Sequence, residues 1–117
     1  MVVVNGTREF LSWLEALDAR ERRSILNSVR LLRVAGIALG APWSSALEGT
    51  RHPLRELRPR RGASPLRVIY AFDPRREVLL LLGGDKGADK RFYARAVERA
   101  ERLWEAHLAS LEQEGSR

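Results

Sequence analysis

Arginine side chains are concentrated in the central part of this chain, and they suggest the chemistry to consider first. Residues 51–76 contain eight arginines but only two acids, Glu56 and Asp73, whereas the flanking segments are nearly balanced in charge. Guanidinium groups bind phosphate oxygens through paired N–H donors, so a basic centre between neutral flanks is typical of a surface that contacts a polyanion. The net charge of +6 for the whole chain also fits ordinary solubility.

RNA is a polyanion that side chains can cleave without a metal ion. The 2′-hydroxyl must lose its proton, the pentacoordinate phosphorane must be stabilised, and the 5′-oxygen must gain a proton. Arginine and lysine stabilise the phosphorane electrostatically, while a tyrosine or lysine of lowered pKa, or a histidine, transfers the protons. Residue type alone does not single out the arginines that would do so. The candidates of the required types are Arg58, Arg67, Lys86, Tyr93 and His52.

Several other kinds of site are excluded by the sequence. The chain has no cysteine, so disulfides and cysteine-based zinc sites are impossible. It contains no HExxH, P-loop or GxSxG motif, His52 and His107 lie far apart, and carboxylates do not cluster in the strand region. We therefore expect neither a metal nor a cofactor. Its apolar runs are only about a strand long, which predicts a cytoplasmic protein with no membrane contact.

Hydrophobic periodicity predicts the elements that position these residues. Residues 2–4 read as a short edge strand. Two amphipathic helices follow, with Thr7 and Asp18 as N-caps and Gly36 as the stop of the second helix. Residues 37–50 are rich in glycine, alanine, proline and serine and are expected to be irregular.

The second half of the chain predicts a sheet and a final helix. Strands at 54–58, 65–73 and 77–82 form an antiparallel meander, and Gly83-Gly84 is expected to break the pattern. A last helix runs from about 89 to 111, with fraying at 112–117. This order predicts one α+β domain over residues 1–117, in which a helical hairpin and a C-terminal helix cover a small antiparallel sheet. The tryptophans are expected in the core or at a partner contact, not as base-stacking platforms: Trp13, Trp43 and Trp104.

Four segments of this second half resemble a known family. They are His52–Arg58 (HPLRELR), Leu66–Arg75 (LRVIYAFDPR), Leu81–Lys86 (LLGGDK) and Lys90–Tyr93 (KRFY). Together they resemble the RelE/HigB superfamily of toxins, and most closely its phage-derived HigB-type branch. The preceding helix hairpin and the following helix also fit, so the resemblance covers nearly the whole chain. It implies a RelE-like, microbial-ribonuclease-like fold and a type II toxin that cleaves mRNA on the ribosome.

The resemblance also assigns roles to individual residues. Arg58 and Arg67 match basic residues on successive strands, Lys86 falls near a basic residue after the last strand, and Tyr93 matches an aromatic residue at the head of the final helix. By this likeness Arg67 and Lys86 would stabilise the phosphorane, and Tyr93 would orient the RNA, stack on it or transfer a proton. Because arginine stays protonated, the general base would be Tyr93 or His52, or the base is missing. The remaining basic residues are predicted to bind RNA: Arg55, Arg60, Arg61, Lys90 and Arg91.

Three functions remain open at this point. The first is a metal-independent endoribonuclease, an mRNA interferase. The second is a non-enzymatic gyrase inhibitor of the ParE type, and the third is a decayed toxin that only binds RNA. All three predict a cognate antitoxin as partner, of the helix-turn-helix kind and with an acidic segment that suits a basic surface. The nuclease would also bind mRNA and the ribosome, whereas DNA would be reached only through the antitoxin complex.

Overall fold

The computed structural model describes residues 1–115 and contains three helices and five strands. The sheet has the order β1-β5-β4-β3-β2, with β1 parallel to β5 and all other neighbours antiparallel. The α+β class is confirmed, although the sheet is mixed and has one strand more than predicted. The helices are α1 (Arg8–Ala16), α2 (Ala19–Ala35) and α3 (Phe92–Gly115), and the strands are β1 (Val4–Gly6), β2 (Ser44–Ala46), β3 (Arg55–Leu57), β4 (Leu66–Phe72) and β5 (Val78–Asp85).

Helices cover both faces of the sheet. The α1–α2 hairpin packs on one face, where Val68 and Tyr70 of β4 enter the core. Helix α3 packs on the other face, against Ile69 and Ala71 of the same strand. The alternation of β4 therefore divides the interior as the sequence predicts, because successive side chains of a strand point to opposite faces.

The predicted helix boundaries of the hairpin are confirmed. The Thr7 hydroxyl accepts the N–H of Phe10 at 3.0 Å, and the Asp18 carboxylate accepts the N–H of Glu21 at 2.8 Å. Both side chains thus satisfy a backbone donor that a helix start leaves unpaired. Gly36 ends α2 with a φ of 57°, a left-handed value that glycine adopts at little cost.

Strand β5 continues through the two glycines that were expected to break it. A Cβ on Gly83 would lie 2.3 Å from the Trp13 ring, and one on Gly84 would lie 2.4 Å from the Phe92 ring. The glycines are therefore close-approach positions, where aromatic rings from the two helical layers rest directly on the strand. The expectation of a loop at this point was wrong.

Three further boundaries differ from the prediction. Strand β2 forms inside the segment that was expected to be irregular, where the buried Ser44 hydroxyl forms a hydrogen bond with the Tyr70 hydroxyl. Helix α3 starts at Phe92 and continues to Gly115, so the fraying predicted from residue 112 does not occur up to that point. Ser116 and Arg117 lie outside the described residues. Within residues 1–115, no helix is both long and apolar enough to cross a membrane.

Candidate active site

A buried carboxylate on β3 is the centre of the candidate site. Glu56 pairs with Ile69 in the β3–β4 register, and its side chain faces α3. Its Oε2 accepts a 2.6 Å hydrogen bond from the Tyr93 hydroxyl, at the start of α3. Its Oε1 lies 3.6 Å from Arg58 Nε and 4.0 Å from Arg67 Nε. We call these four residues the Glu56 cluster; strand β3, strand β4 and helix α3 each contribute to it or adjoin it.

The charges of the cluster differ in their exposure. Glu56 is 5% exposed and Arg67 is 1% exposed. Arg58 and Tyr93, each about one third exposed, form the solvent side of the cluster. A buried ion is tolerated only when it is paired, and Glu56 and Arg67 are each other's buried counter-charge.

Two donors in this cluster have no acceptor. The Nε atoms of Arg58 and Arg67 are buried and without a hydrogen bond in the described structure. Another nitrogen of the Arg67 guanidinium is hydrogen-bonded within the fold: Nη1 donates to the carbonyls of Ser64 at 2.6 Å and Leu66 at 2.7 Å. Of the two side chains only Arg58 lies on the solvent side of the cluster, so its Nε is the donor that an anionic ligand could satisfy.

Tyr93 has a different acid–base character from the one expected. Burial raises the pKa of its hydroxyl, and donation to Glu56 and the negative charge of Glu56 raise it further, while Arg67 acts in the opposite direction. The net pKa lies above the ordinary tyrosine value, so Tyr93 is a neutral phenol at neutral pH. This direction is opposite to the lowered pKa that a tyrosine acting as the base was expected to have.

His52 lies far from the Glu56 cluster. Its Nε2 is 3.3 Å from the Glu105 carboxylate, and its backbone N–H donates to Glu101 at 2.9 Å. Glu105 follows Tyr93 by three turns of α3, a rise of about 18 Å. His52 therefore fastens the β2–β3 loop to α3, and the structure does not place it where a general base for this cluster would have to be.

Arg67 and Arg55 are less accessible than the sequence suggests. Arg67 was expected to contact the phosphorane, but its side chain is enclosed by the protein. Arg55 was expected to bind RNA, yet it points to the hairpin face. There its Nε donates to Ser44 and Tyr70 and its Nη2 to the Leu39 carbonyl. Both arginines stabilise their surroundings in this conformation, Arg67 by holding Glu56 and Arg55 by satisfying buried hydroxyls.

The other predicted RNA-binding residues are exposed. Lys90 and Arg91 lie three and two residues before Tyr93, immediately ahead of α3. Lys86 is also exposed, directly after β5, with its backbone N–H donating to the Pro65 carbonyl. Arg60 and Arg61 lie in the 3-10 turn Pro59–Gly62 that follows Arg58.

Glu56 is the functional candidate that sequence reasoning missed. It is one of only two acids in the basic stretch, and it has the same strand parity as Arg58. This alternation was the available signal, because residues i and i+2 share one face of a strand. No group of three or more histidine, aspartate and glutamate side chains suited to a metal ion occurs within residues 1–115.

A model of the phage-derived Gp49-like protein family matches residues 12–105 of this chain. The chain belongs to this family. HigB2 and HigB3 of Mycobacterium tuberculosis, both named as candidate toxins, are 34% and 37% identical to this Gp49-like protein over 104 and 100 residues. The matches cover 86% and 84% of the chain, 52% of HigB2 and 86% of HigB3. The chain therefore spans about half the length of HigB2. It is a HigB-type member of the RelE/HigB superfamily.

Solved structures confirm the RelE-like fold of this Gp49-like protein. The isolated RelE toxin of E. coli superposes with a TM-score of 0.61, at 16% identity, over 85% of this chain and 98% of RelE. RelE in the RelE–RelB complex of Pyrococcus horikoshii superposes with a TM-score of 0.55, at 22% identity, over 75% and 98% of the two chains. At these identities the likeness concerns the fold alone.

Proposed function

We propose that this HigB-type protein is the toxin of a type II toxin–antitoxin system and cleaves translated mRNA without a metal ion. The observation that carries the proposal is the Glu56 carboxylate, which lies beneath Arg58 and Tyr93 with both oxygens engaged. A base, a cation and a neutral proton donor are the three groups that cleavage at a 2′-hydroxyl requires. The Glu56 cluster offers Glu56 as the base, Arg58 as the accessible cation and Tyr93 as the proton donor.

Substrate entry exposes the base. The contact between Arg58 and Glu56 is long for a charged hydrogen bond, at 3.6 Å, and Arg58 Nε has no acceptor. A phosphate of the RNA supplies that acceptor and draws the guanidinium outward. Glu56 is then free to accept the proton of the adjacent 2′-hydroxyl, while Arg67 remains 4.0 Å from the carboxylate as its buried counter-charge.

In the remaining steps the proton taken from the 2′-hydroxyl is matched by the proton given to the 5′-oxygen. The 2′-oxygen attacks phosphorus, Arg58 stabilises the phosphorane, and the bond from phosphorus to the 5′-oxygen breaks. Tyr93, held neutral by its raised pKa, gives its proton to the 5′-oxygen. The protonated Glu56 returns a proton to Tyr93 through their 2.6 Å hydrogen bond, which restores both residues. The products are a 2′,3′-cyclic phosphate and a 5′-hydroxyl.

The proposed partners follow from the same surface. A ribosome-bound mRNA presents the single-stranded phosphates that the exposed cations Lys86, Lys90 and Arg91 can contact. An antitoxin would neutralise the protein by covering these cations with an acidic segment. RelE of Pyrococcus horikoshii, which shares this fold, was solved in complex with RelB.

Induced expression in bacteria tests the proposal. Wild type, Glu56→Gln and Tyr93→Phe are compared for growth, and mRNA 5′ ends are mapped against ribosome-occupied codons. We expect growth arrest with new in-frame cuts for wild type, and cleavage lower by about 10²–10⁴-fold for Glu56→Gln, the range for losing a general base. Glu105→Gln, an exposed carboxylate far along α3, is the matched control and should cleave normally. Thermal unfolding of each purified variant shows that its fold is retained.

The same experiment distinguishes the competing functions. Arrest with intact mRNA would refute the nuclease and favour a gyrase inhibitor. Full cleavage by Glu56→Gln would remove Glu56 from the mechanism. Cleavage by the purified protein on ribosomes, after the protein alone has been dialysed against EDTA, is expected to persist. Loss of activity that a divalent ion restores would contradict the metal-free mechanism.

A further inference from the structure

The turn that follows β3 has a strained backbone. Three consecutive residues have positive φ values: Arg60 at 54°, Arg61 at 55° and Gly62 at 92°. Only the last of these is glycine, and left-handed backbone is costly for a residue with an ordinary side chain. Such strain persists where the surrounding structure requires it, and it is concentrated at functional sites.

These arginines lie beside an exposed aromatic ring. The guanidinium carbon of Arg61 is 5.7 Å from the centroid of Trp43, which is 37% exposed. The Trp43 backbone is fixed next to the candidate active site, because its carbonyl accepts the N–H of Arg58 at 2.8 Å. Among residues 1–115, no carboxylate forms an ion pair with Arg60 or Arg61, so both charges remain available to a ligand.

A groove of about 210 Å³ opens between α2 and this turn. The side chains on the turn side are Trp43, Arg60 and Arg61, and those on the α2 side include Asn27 and Leu31. No acidic residue lines it. A cation would suffice for an acidic peptide, but an aromatic ring together with cations and a neutral amide is the set that binds unpaired nucleotides.

We propose that this Trp43 groove binds one unpaired nucleotide of a single-stranded RNA. Trp43 stacks on the base, Arg60 and Arg61 hold its phosphates, and the Asn27 amide contacts the edge of the base. The proposal rests on the nuclease function, since the turn continues directly from Arg58, and it adds a subsite beyond the bond that is cut. It also revises the prediction that Trp43 would not be a stacking platform.

Binding of an uncleavable RNA tests the groove separately from catalysis. The probe is a fluorescein-labelled 2′-O-methyl oligoribonucleotide of mixed sequence and about 12 nucleotides, within the range of single-strand binding sites. It keeps bases and phosphates but lacks the nucleophile. Fluorescence anisotropy compares wild type with Trp43→Ala, Arg61→Asn and Arg76→Asn. The last is a matched control, because Arg76 is an exposed arginine with a φ of 63° at the far β4–β5 turn.

We expect Trp43→Ala to weaken binding about tenfold, the scale for losing one stacked base. Arg61→Asn loses a phosphate contact in the groove and should weaken binding clearly more than Arg76→Asn does. Arg76→Asn should bind within about twofold of wild type, because it loses the same charge away from the groove. Asparagine tolerates left-handed backbone, so neither Asn variant should melt below wild type. RNA should also quench the intrinsic fluorescence of wild type but not of Trp43→Phe, because Trp104 is buried and Trp13 packs on Gly83 in the hairpin layer.

Three results would overturn the proposal. The first is wild-type binding by both groove variants, and the second is equal weakening by Arg61→Asn and Arg76→Asn. The third is a wild-type protein that ignores the RNA but binds polyglutamate in a Trp43-dependent way, which would make the groove a peptide-docking site. A protein that binds the probe through Trp43 and yet never cuts mRNA would keep the groove and refute only the nuclease.

Discussion

The two faces of the sheet are built differently. The face under the α1–α2 hairpin is apolar, and its main polar feature is the neutral Ser44–Tyr70 pair, which Arg55 approaches from the margin. The face under α3 carries buried charges. Among the described residues, every charged side chain that is nearly fully buried lies on the α3 side: Glu56, Arg67, Asp73 and Glu101.

These charges fasten α3 at three points along its length. Tyr93 contacts Glu56 at the start of the helix, Glu101 binds backbone donors in its middle, and His107 contacts Asp73 near its second half. An apolar stripe alone would allow the helix to slide or rotate, whereas hydrogen bonds to buried carboxylates specify one register. The comparison shows that buried hydrogen bonds fix the position of α3, in addition to the apolar packing that holds it on the sheet. The candidate active site lies at the start of this helix.

The largest effect should come from removing the buried cation of the α3 face. Arg67→Met leaves Glu56 with the partly exposed Arg58, 3.6 Å away, as the one remaining cation of the cluster. Breaking a buried ion pair lowers the free energy of unfolding by about 3–5 kcal/mol. Ile25→Val, fully buried on the hairpin face, should lower it by only about 1 kcal/mol. Chemical denaturation of both variants measures the contrast.

A double variant sharpens this prediction. Glu56→Gln/Arg67→Met removes both charges, so part of the stability lost in Arg67→Met should return. If the double variant is less stable than Arg67→Met by the full cost of Glu56→Gln, the two residues are not coupled and the α3 face is not organised by this pair.

The hydrogen bonds of Glu101, in the middle of α3, predict a smaller effect on the free energy of unfolding. Glu101 accepts the backbone N–H groups of Arg51 at 3.1 Å and His52 at 2.9 Å. Hydrogen bonds to a charged acceptor contribute about 1.5–3 kcal/mol, so Glu101→Gln should lower the free energy of unfolding by about 2 kcal/mol. Glu105→Gln, one turn further and 48% exposed, should lower the free energy of unfolding much less, because solvent screens exposed ion pairs. Equal costs for the two variants would contradict a special role of the buried carboxylate.

The sequence predicts which face of the sheet a side chain lies on better than it predicts how deeply that side chain is buried. Alternation places Arg67 with Ile69 and Ala71 on the α3 side, as the structure confirms. How deeply α3 covers that position depends on the docking of a distant helix, which strand parity does not contain. The same limit explains why Arg67 was expected to contact RNA, and why Glu56 was noted only as an exception in charge.

Two other misses have a common cause in tertiary contact. Gly83 and Gly84 favour a break by local propensity, yet each makes room for an aromatic ring from a different helix. Ser44–Ala46 has little intrinsic strand preference and forms β2 because it pairs with β3. The parallel pairing of β1 with β5 likewise joins the two ends of the fold, so no local pattern indicates it.

The contact between Asp73 and His107, in the second half of α3, predicts that the stability of the protein depends on pH. Burial raises the pKa of Asp73, but hydrogen bonds from Arg75, His107 and the backbone N–H groups of Glu77 and Arg75 outweigh it, so the pKa lies below the ordinary value. A carboxyl whose pKa is lowered by folding contributes stability above its unfolded pKa, near 3.9, and loses it as the pH falls through the folded value. Asp73→Asn removes this contribution.

The thermal midpoint of Asp73→Asn should therefore lie below that of wild type at pH 7, and the gap should narrow as the pH falls below about 4. Glu98→Gln, which removes only an exposed pair with Arg102, should follow wild type across the same range. A constant gap between Asp73→Asn and wild type would mean that Asp73 acts through shape and neutral hydrogen bonds. In that case the contrast between the two faces would rest on the contacts of Glu56 and Glu101. The end of α3 would then be held on the sheet by packing, as the α1–α2 hairpin is on the other face.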